Sequence, residues 1–379
     1  MQKLHTFYSH KIQTYKEALV KIKSQLFISS MLRLVLFVAA VFGVYMLHES
    51  MNATIGVIVL SLAVFLFLVS RHTDINYKKE KLLALIKINE TELQVLDRNF
   101  HKLPDGGEFK NPLHHFSQDI DLFGKGSFYQ YLNRTVLHQG SKKLADIFTE
   151  NTIDDILEKQ NAVKELAELP EWRQEFSAIA SLVKTETPYD AILKWLENYK
   201  PFLSKTMKIL PYIFGSISLL GIIGYFVIPL SIFVLLALFI VGLVITGFYV
   251  KNINKLANDT GKIQTTFHQY QKLILEIENI EFQSSLLKEK RETILNDAVK
   301  TSKIVHEFSR ILGALDQRNN MLFGLFANGF LLWDIYQSYK IETWILAHGQ
   351  KVKHWFETIA FFDAYNSLAN FTYNHPRVS

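Results

Sequence analysis

Apolar positions along the 379-residue chain gather in two blocks, and the segments around those blocks repeat at helical spacing. The first block runs from about Leu26 to Ser70. Within it Leu34–Leu47 carries no charge, a polar break follows at His48-Glu49-Ser50-Met51-Asn52, and Ala53–Ser70 is again free of charge. A spanning helix needs about 20 apolar residues. The first run reaches that length if it extends back to Leu26, with the Arg33 side chain directed to the interface. So short a break makes the two helices antiparallel neighbours. The second block runs from about Ile209 to Val250, and residues 211–250 contain no charged side chain. That is too long for one crossing and right for two, with Pro229 where a turn is needed. A buried helix pair in a soluble protein is the competing reading, but soluble domains rarely hold an uncharged run of this length.

Outside the blocks the pattern predicts helices and no sustained strand alternation, so the fold class is all-α. Residues 74–100 have apolar positions three and four apart and should continue directly from the second span. Lys102–Asp121, with Pro104, Gly106, Gly107 and Pro112, reads as a linker. Helical pattern resumes at Ser127. Asn151-Thr152 precedes a helix start with Asp154 and Asp155 in its first turn, and breaks are expected at Pro170 and at Thr187-Pro188. Ile263, Phe267, Tyr270, Ile274 and Ile277 step by four, three, four and three, the stripe of a long helix packed on another long helix. The chain thus divides into residues 1–100 (helix, hairpin at 26–70, helix), linker 101–126, helices over 127–208, hairpin 209–250, and long helices over 251–379.

Charge adds orientation. Lysine and arginine flank both hairpins (Lys16, Lys21, Lys23, Arg33; Arg71, Lys78, Lys79, Lys81; Lys205, Lys208; Lys251, Lys255), and neither inter-helix turn carries one. The positive-inside rule then puts both termini and the soluble parts in the cytoplasm of a multi-pass inner-membrane protein. Residues 1–25 are polar and unlike a secretory leader. The absence of cysteine removes disulfides and thiolate metal sites. A net charge of +5 over this length is weak support for nucleic-acid binding.

Candidate chemistry is sparse. Gly124-Lys125-Gly126-Ser127 lacks the glycine that a phosphate loop needs at position 119, where Asp119 stands, so a loop before a helix is the better reading. His114-His115 with Asp119 and Asp121 has no helical ligand spacing and reads as polar linker. Asp154-Asp155 and Glu276, Glu278 and Glu281 read as solvated faces or salt-bridge partners rather than acid–base pairs. Trp333, Trp344 and Trp355 recur every eleven residues and read as packing. The spans hold no acid, histidine or lysine, which disfavours an intramembrane active site. No catalytic, cofactor or metal residue is assigned, and no small-molecule ligand is evident.

One ordered series of motifs goes further. Asp121-Leu122-Phe123-Gly124-Lys125-Gly126-Ser127-Phe128, then Leu132-Asn133-Arg134-Thr135, Gly140-Ser141 with Leu144, and Gln160-Asn161-Ala162-Val163 with Leu166 resemble the entry to the helical core, or lever, of MutS-type ATPases. Leu312-Gly313-Ala314-Leu315-Asp316, Asn328 through Trp333 to Asp334, Trp355-Phe356-Glu357 and Ala364-Tyr365-Asn366-Ser367-Leu368-Ala369-Asn370-Phe371 resemble the membrane-bound MutS-like proteins of bacteria. Together the match covers about residues 100–200 and 300–379.

The resemblance implies a helical core carrying transmembrane hairpins and leading into an ATPase domain, with ATP and Mg bound there, and a homodimer in full-length form. Several features depart from it. Lys159 stands where the family has arginine, and the mismatch-reading domain is missing. Phe148-Thr149-Glu150 matches the letters of its wedge but sits inside the core. The second hairpin occupies the place of the DNA clamp, and the sequence ends at about the point where the ATPase would begin, without a Walker A motif. The expectation is a membrane-anchored lever that relays ATP-driven motion of a domain outside these residues. DNA contact, if made, would be non-specific, by basic helix ends. The alternative is a membrane scaffold that dimerises and has no nucleotide or DNA role.

Overall fold

The computed structural model describes residues 2–150, 152–183, 188–228, 230–295 and 299–376, and all regular structure among them is helical. The helices are α1 (Gln2–Met46), α2 (Met51–Leu96), α3 (Phe128–Leu132), α4 (His138–Thr149), α5 (Ile156–Ala167), α6 (Pro170–Ala180), α7 (Tyr189–Glu197) and α8 (Leu210–Val227). They continue as α9 (Ile232–Gly261), α10 (Gln264–Glu278), α11 (Ser285–Glu292), α12 (Thr301–Asp316), α13 (Met321–Leu331), α14 (Trp333–His348) and α15 (Val352–Asn374). Four of them, α1, α2, α8 and α9, are long and apolar enough to cross a membrane. Few residues of their apolar windows are buried, as side chains facing lipid should be. The chain is a helical membrane protein. It falls into two compact units, Met1–Arg134 with Ala167–Leu182 and Asn370–Ser379, and Thr135–Leu166 with Val183–Ala369.

The first unit is built on α1 and α2, which pair antiparallel from the turn at residues 47–50 to their far ends. Val57 packs on Gly43 inside the apolar part, and at the other end His5 faces Asp97 at 3.5 Å. At 1.5 Å per residue, the 45 residues of α1 span about 68 Å, twice the hydrocarbon thickness of a bilayer, so about half of the hairpin stands outside it. That half buries apolar Leu19, Ile75, Leu85, Ile86 and Val95. It also closes over a polar cluster. The Tyr8 hydroxyl donates to Asn374 Oδ1 at 2.7 Å, Asn374 Nδ2 donates to Glu92 at 3.0 Å, and Arg134 Nε donates to Glu92 at 2.6 Å. Arg173, on α6, donates to Asn370 at 3.1 Å and lies over the Tyr373 ring. Burial pushes its guanidinium down to about 10, opposed by Tyr8, Glu92 and Tyr373, so it stays charged at neutral pH. The Asn370 hydrogen bond, the Tyr373 ring and the field of Glu92 offset the cost of a charge this deep.

The second unit packs helices against the α8–α9 hairpin and its extension beyond the apolar stretch. Beyond Lys251, α9 continues as a soluble helix with Ile253, Leu256 and Thr260 buried. The stripe Ile263, Phe267, Tyr270, Ile274 and Ile277 is buried throughout. It packs on α12, where Phe308 meets Phe267 edge to face at 4.9 Å and stacks on Trp344 at 3.8 Å. Trp344 and Trp355 are both buried and in contact, while Trp333 is half-buried.

Some local expectations change. The stripe from Phe267 to Ile277 belongs to a helix of 15 residues with Ile263 at its N-cap, because α9 ends at Gly261 and the axis restarts at α10. Helix α5 starts at Ile156 rather than at Ile153. Thr152 Oγ1 accepts the Asp154 N–H at 3.1 Å, and Asp155 adopts φ +56, so the two acids form the turn before the helix. Pro170 opens α6 at its first turn, where its missing N–H costs nothing. Met51 and Asn52, read as part of the polar break, already belong to the backbone of α2. Asn151, Thr187 and Pro229 lie outside the described residues.

Candidate functional site

The chemistry of the second unit concentrates where soluble helices grip the α8–α9 hairpin. Glu342, buried on α14, accepts the N–H of Phe202 at 2.7 Å, the N–H of Leu203 at 3.3 Å and the Tyr199 hydroxyl at 3.1 Å. Those residues lead directly into the 3-10 turn Lys205–Lys208 and then α8. One carboxylate therefore fixes the entry of the hairpin to α14. Burial raises the Glu342 carboxyl, and the three donors pull it back. The Tyr199 phenol is raised by burial and by Glu342, so it remains a donor across the neutral range. Farther along, Tyr212 and Tyr336 join their hydroxyls at 3.1 Å, and Arg318 Nε donates to the buried Asp334 at 2.8 Å.

A second carboxylate organises the start of α4. Asp363, fully buried on α15, accepts the N–H groups of Val136 at 3.0 Å and Leu137 at 2.9 Å through Oδ2. These are among the unpaired donors that open a helix, and an anion suits that end. Beside it, Thr135 and Ser141 share a 2.6 Å hydroxyl contact. A third, Glu278, is buried at the end of α10 and accepts Ser302 N at 3.0 Å and Ser302 Oγ at 2.6 Å, which caps α12. The expectation of a solvated face therefore fails for Glu278.

Next to α4 and α15 lies a cleft of about 670 Å³, lined among others by Lys142, Lys143, Lys159 and Lys290 and by Asp146 and Glu150. Both signs of charge line it. Tyr189 donates to Glu357 at its rim at 3.5 Å, and burial with that acid raises the phenol, so it holds its proton at neutral pH. Glu150, the acid of the Phe148-Thr149-Glu150 triplet, is one of these lining side chains and caps the end of α4.

The remaining motif positions have structural places. Leu122, Phe123, Gly124 and Ser127 are buried, while Asp121 and Gly126 are exposed. Phe123 meets Tyr129 at 5.2 Å, and Ser127 Oγ accepts the Gln130 N–H as the cap of α3. Gly126 N donates to Gln130 Oε1 at 2.7 Å and Gly124 N to the Asp105 carbonyl at 2.8 Å. The amides of Gly124 and Gly126 are thus engaged within this segment. Leu132 is buried, Gln160 exposed and Val163 half-buried. Asn328 Oδ1 accepts the Asp334 N–H at 2.9 Å, and Trp333 Nε1 donates to the Ala314 carbonyl at 2.8 Å. Asp316 faces Gly261, Asn366 and Ser367 are buried, and Leu368 is half-buried. No group of histidine, aspartate and glutamate among the described residues is arranged to hold a metal ion.

No family model, no curated protein and no solved structure matches the chain. The residues that organise the junctions, Glu342, Asp363, Glu278 and Glu92, were not singled out for those roles by sequence reasoning. The signal for Asp363 was an acid in an otherwise apolar run, Ile359–Ala364.

Proposed function

We propose that this chain is the membrane-anchored lever of a MutS-like, nucleotide-driven machine, seated in the inner membrane with its termini and soluble helices in the cytoplasm. The observation that carries the reading is mechanical continuity. Helices α1, α2 and α9 run without a break from their apolar parts into soluble parts that pack against other helices. Displacing the soluble end of such a helix displaces its membrane end. The Glu342 junction ties the other strand of the second hairpin to the same soluble helices. In this reading the ATPase, with its ATP and Mg, acts from a domain outside these 379 residues, the working form is a homodimer, and DNA is contacted only through phosphates at basic helix ends. The charge distribution around the hairpins supports the orientation, and the motif series supports the family.

The test uses the natural gene product with whatever reading frame follows Ser379, reconstituted in nanodiscs. The chain lacks cysteine, so single introduced cysteines carry spin labels without background. Labels at Ile217 and Val241, both exposed on the second hairpin, should change their separation when ATP and Mg are added. Unchanged distances with no nucleotide bound would favour the scaffold reading. A parallel titration of duplex DNA should show affinity that falls with salt if phosphates are contacted; no binding would remove DNA from the proposal.

A further inference from the structure

Helix α13, Met321-Leu322-Phe323-Gly324-Leu325-Phe326-Ala327-Asn328-Gly329-Phe330-Leu331, is eleven residues without a charge. It is too short to cross a bilayer, at about 16 Å. Its position is fixed by close contacts with the second hairpin. A Cβ at Gly242 would stand 2.2 Å from the Gly329 carbonyl oxygen, and a Cβ at Gly329 would stand 2.2 Å from the Phe239 ring. Gly242 lets the two backbones come this near, and Gly329 leaves room for the Phe239 ring. Phe239 also meets Phe326 at 5.9 Å and Phe330 at 5.3 Å, and Leu331 reaches toward Gly215 on α8.

Gly242 lies nine residues from Lys251, which closes the apolar stretch of α9. That is about 13 Å along the helix, close to the middle of the hydrocarbon core. Before that contact, on the same side of the helix as Gly329, α13 exposes Met321 at 81%, Leu322 at 68%, Leu325 at 40% and Phe326 at 55%. In water this patch would be costly.

We propose that α13 is a fifth membrane-embedded element, a half-helix that enters the bilayer from the soluble side and presents these four side chains to lipid acyl chains. Its ends are built for such a place. Asn320 Oδ1 accepts the Phe323 N–H at 3.2 Å at the start. At the finish Leu332 takes a left-handed conformation and donates its N–H to the Ala327 carbonyl, and Asn328 receives the Asp334 N–H. Irregular backbone below a membrane surface has to be satisfied in this way. The charges that flank the helix, Arg318 and Asp334, neutralise one another at 2.8 Å. Lipid occupies the face because it is continuous with the lipid-facing surface of α8 and α9. The inference rests on the spanning hairpin alone and does not depend on the lever reading.

Spin labels at Leu322 and Phe326, introduced singly as L322C and F326C, test it in nanodiscs. Val244 serves as a spanning control and Lys288 as a soluble one. The expected result is collision with oxygen that exceeds collision with a polar nickel chelate several-fold at both positions, as at Val244. Preference for the chelate, as at Lys288, would overturn the proposal. Labels shielded from both reagents, with dipolar broadening between copies, would also overturn it and assign the face to a second copy of the chain. The unmodified side chains give an independent check. Trp333, which packs on Phe323 at 5.4 Å, should be quenched by lipids brominated along their acyl chains, and the quenching should disappear in W333F. Quenching that survives the substitution would count against insertion at this place.

Discussion

A Cβ on Gly140 would stand 2.0 Å from Oδ2 of Asp363, so the glycine in the first turn of α4 is the space that the Asp363 carboxylate occupies. The two residues are 223 positions apart in the sequence. Their fit joins α15 to the first turn of α4.

Gly140→Ala should push that carboxylate away from the Val136 and Leu137 amides and destabilise the unit by about 1–3 kcal/mol. Asp363→Ala should cost a similar amount, since the Val136 and Leu137 amides would lose their acceptor. Thermal unfolding in detergent measures both. The double variant should lose less than the sum of the two, because both changes break one contact.

Glu342→Ala should release residues 199–203 from α14. Three donors lose one acceptor, a cost of about 1–3 kcal/mol. The Phe202 and Leu203 amides should then exchange hydrogen faster, while those of the α10–α12 pair keep their protection. Hydrogen exchange resolved by peptide reads the difference.

Gly242→Val should force α13 off the second hairpin, because its side chain would meet backbone at Gly329 and Asn328. An overpacking cost of about 1–3 kcal/mol is expected. Gly247→Val, on the same helix but facing open space, should leave the melting temperature unchanged.

Acidification should weaken the second unit through two histidines. Burial lowers His268, with Lys272 and His306 adding to the effect, and burial with Lys351 lowers His348, opposed by Glu307. A base whose folded value lies below its unfolded value binds more protons when unfolded. Its contribution is therefore complete above the ordinary histidine value of 6.5 and is lost as pH falls through the folded value. Melting curves from pH 7.5 to 5.5 should show the wild type losing stability relative to the His268→Gln, His348→Gln double variant. The comparison isolates the histidines from Glu342, whose raised carboxyl works in the opposite sense at acid pH.

Glu92→Ala should leave the Arg134 guanidinium half-buried without its acid, and the Asn374 amide without its acceptor. The expected cost is about 3–5 kcal/mol. Tyr8→Phe removes one neutral hydrogen bond and should cost about 1 kcal/mol. Chemical denaturation of the two variants ranks them.

The membrane architecture was legible in the sequence because lipid imposes a simple code: no charge over about 20 residues, then a short break. The continuation of α2 past Ser70 and the α10 stripe were legible for a related reason, since apolar spacing records which face is covered. The buried acids were not. Periodicity reads a charged side chain as solvent-facing, and Glu278, Glu342 and Asp363 are instead acceptors for backbone amides 24, about 140 and about 227 residues away. The turn before α5 was missed because Asp155 takes a left-handed conformation that its neighbours do not announce. Helix α13 escaped notice as a membrane element since its length alone points to a core helix.

If the chain works as a lever, the α1–α2 hairpin would act as a see-saw. Its outer half is held at Tyr8 and Glu92, and its other half ends at the turn 47–50, about 34 Å from the bilayer face nearest the clamp. With the bilayer surface as fulcrum, a tilt of about 10° at the clamped end would swing that turn by about 6 Å in the opposite direction. Small rearrangements around Asn374, near the end of the sequence, would thereby become visible on the far side of the membrane.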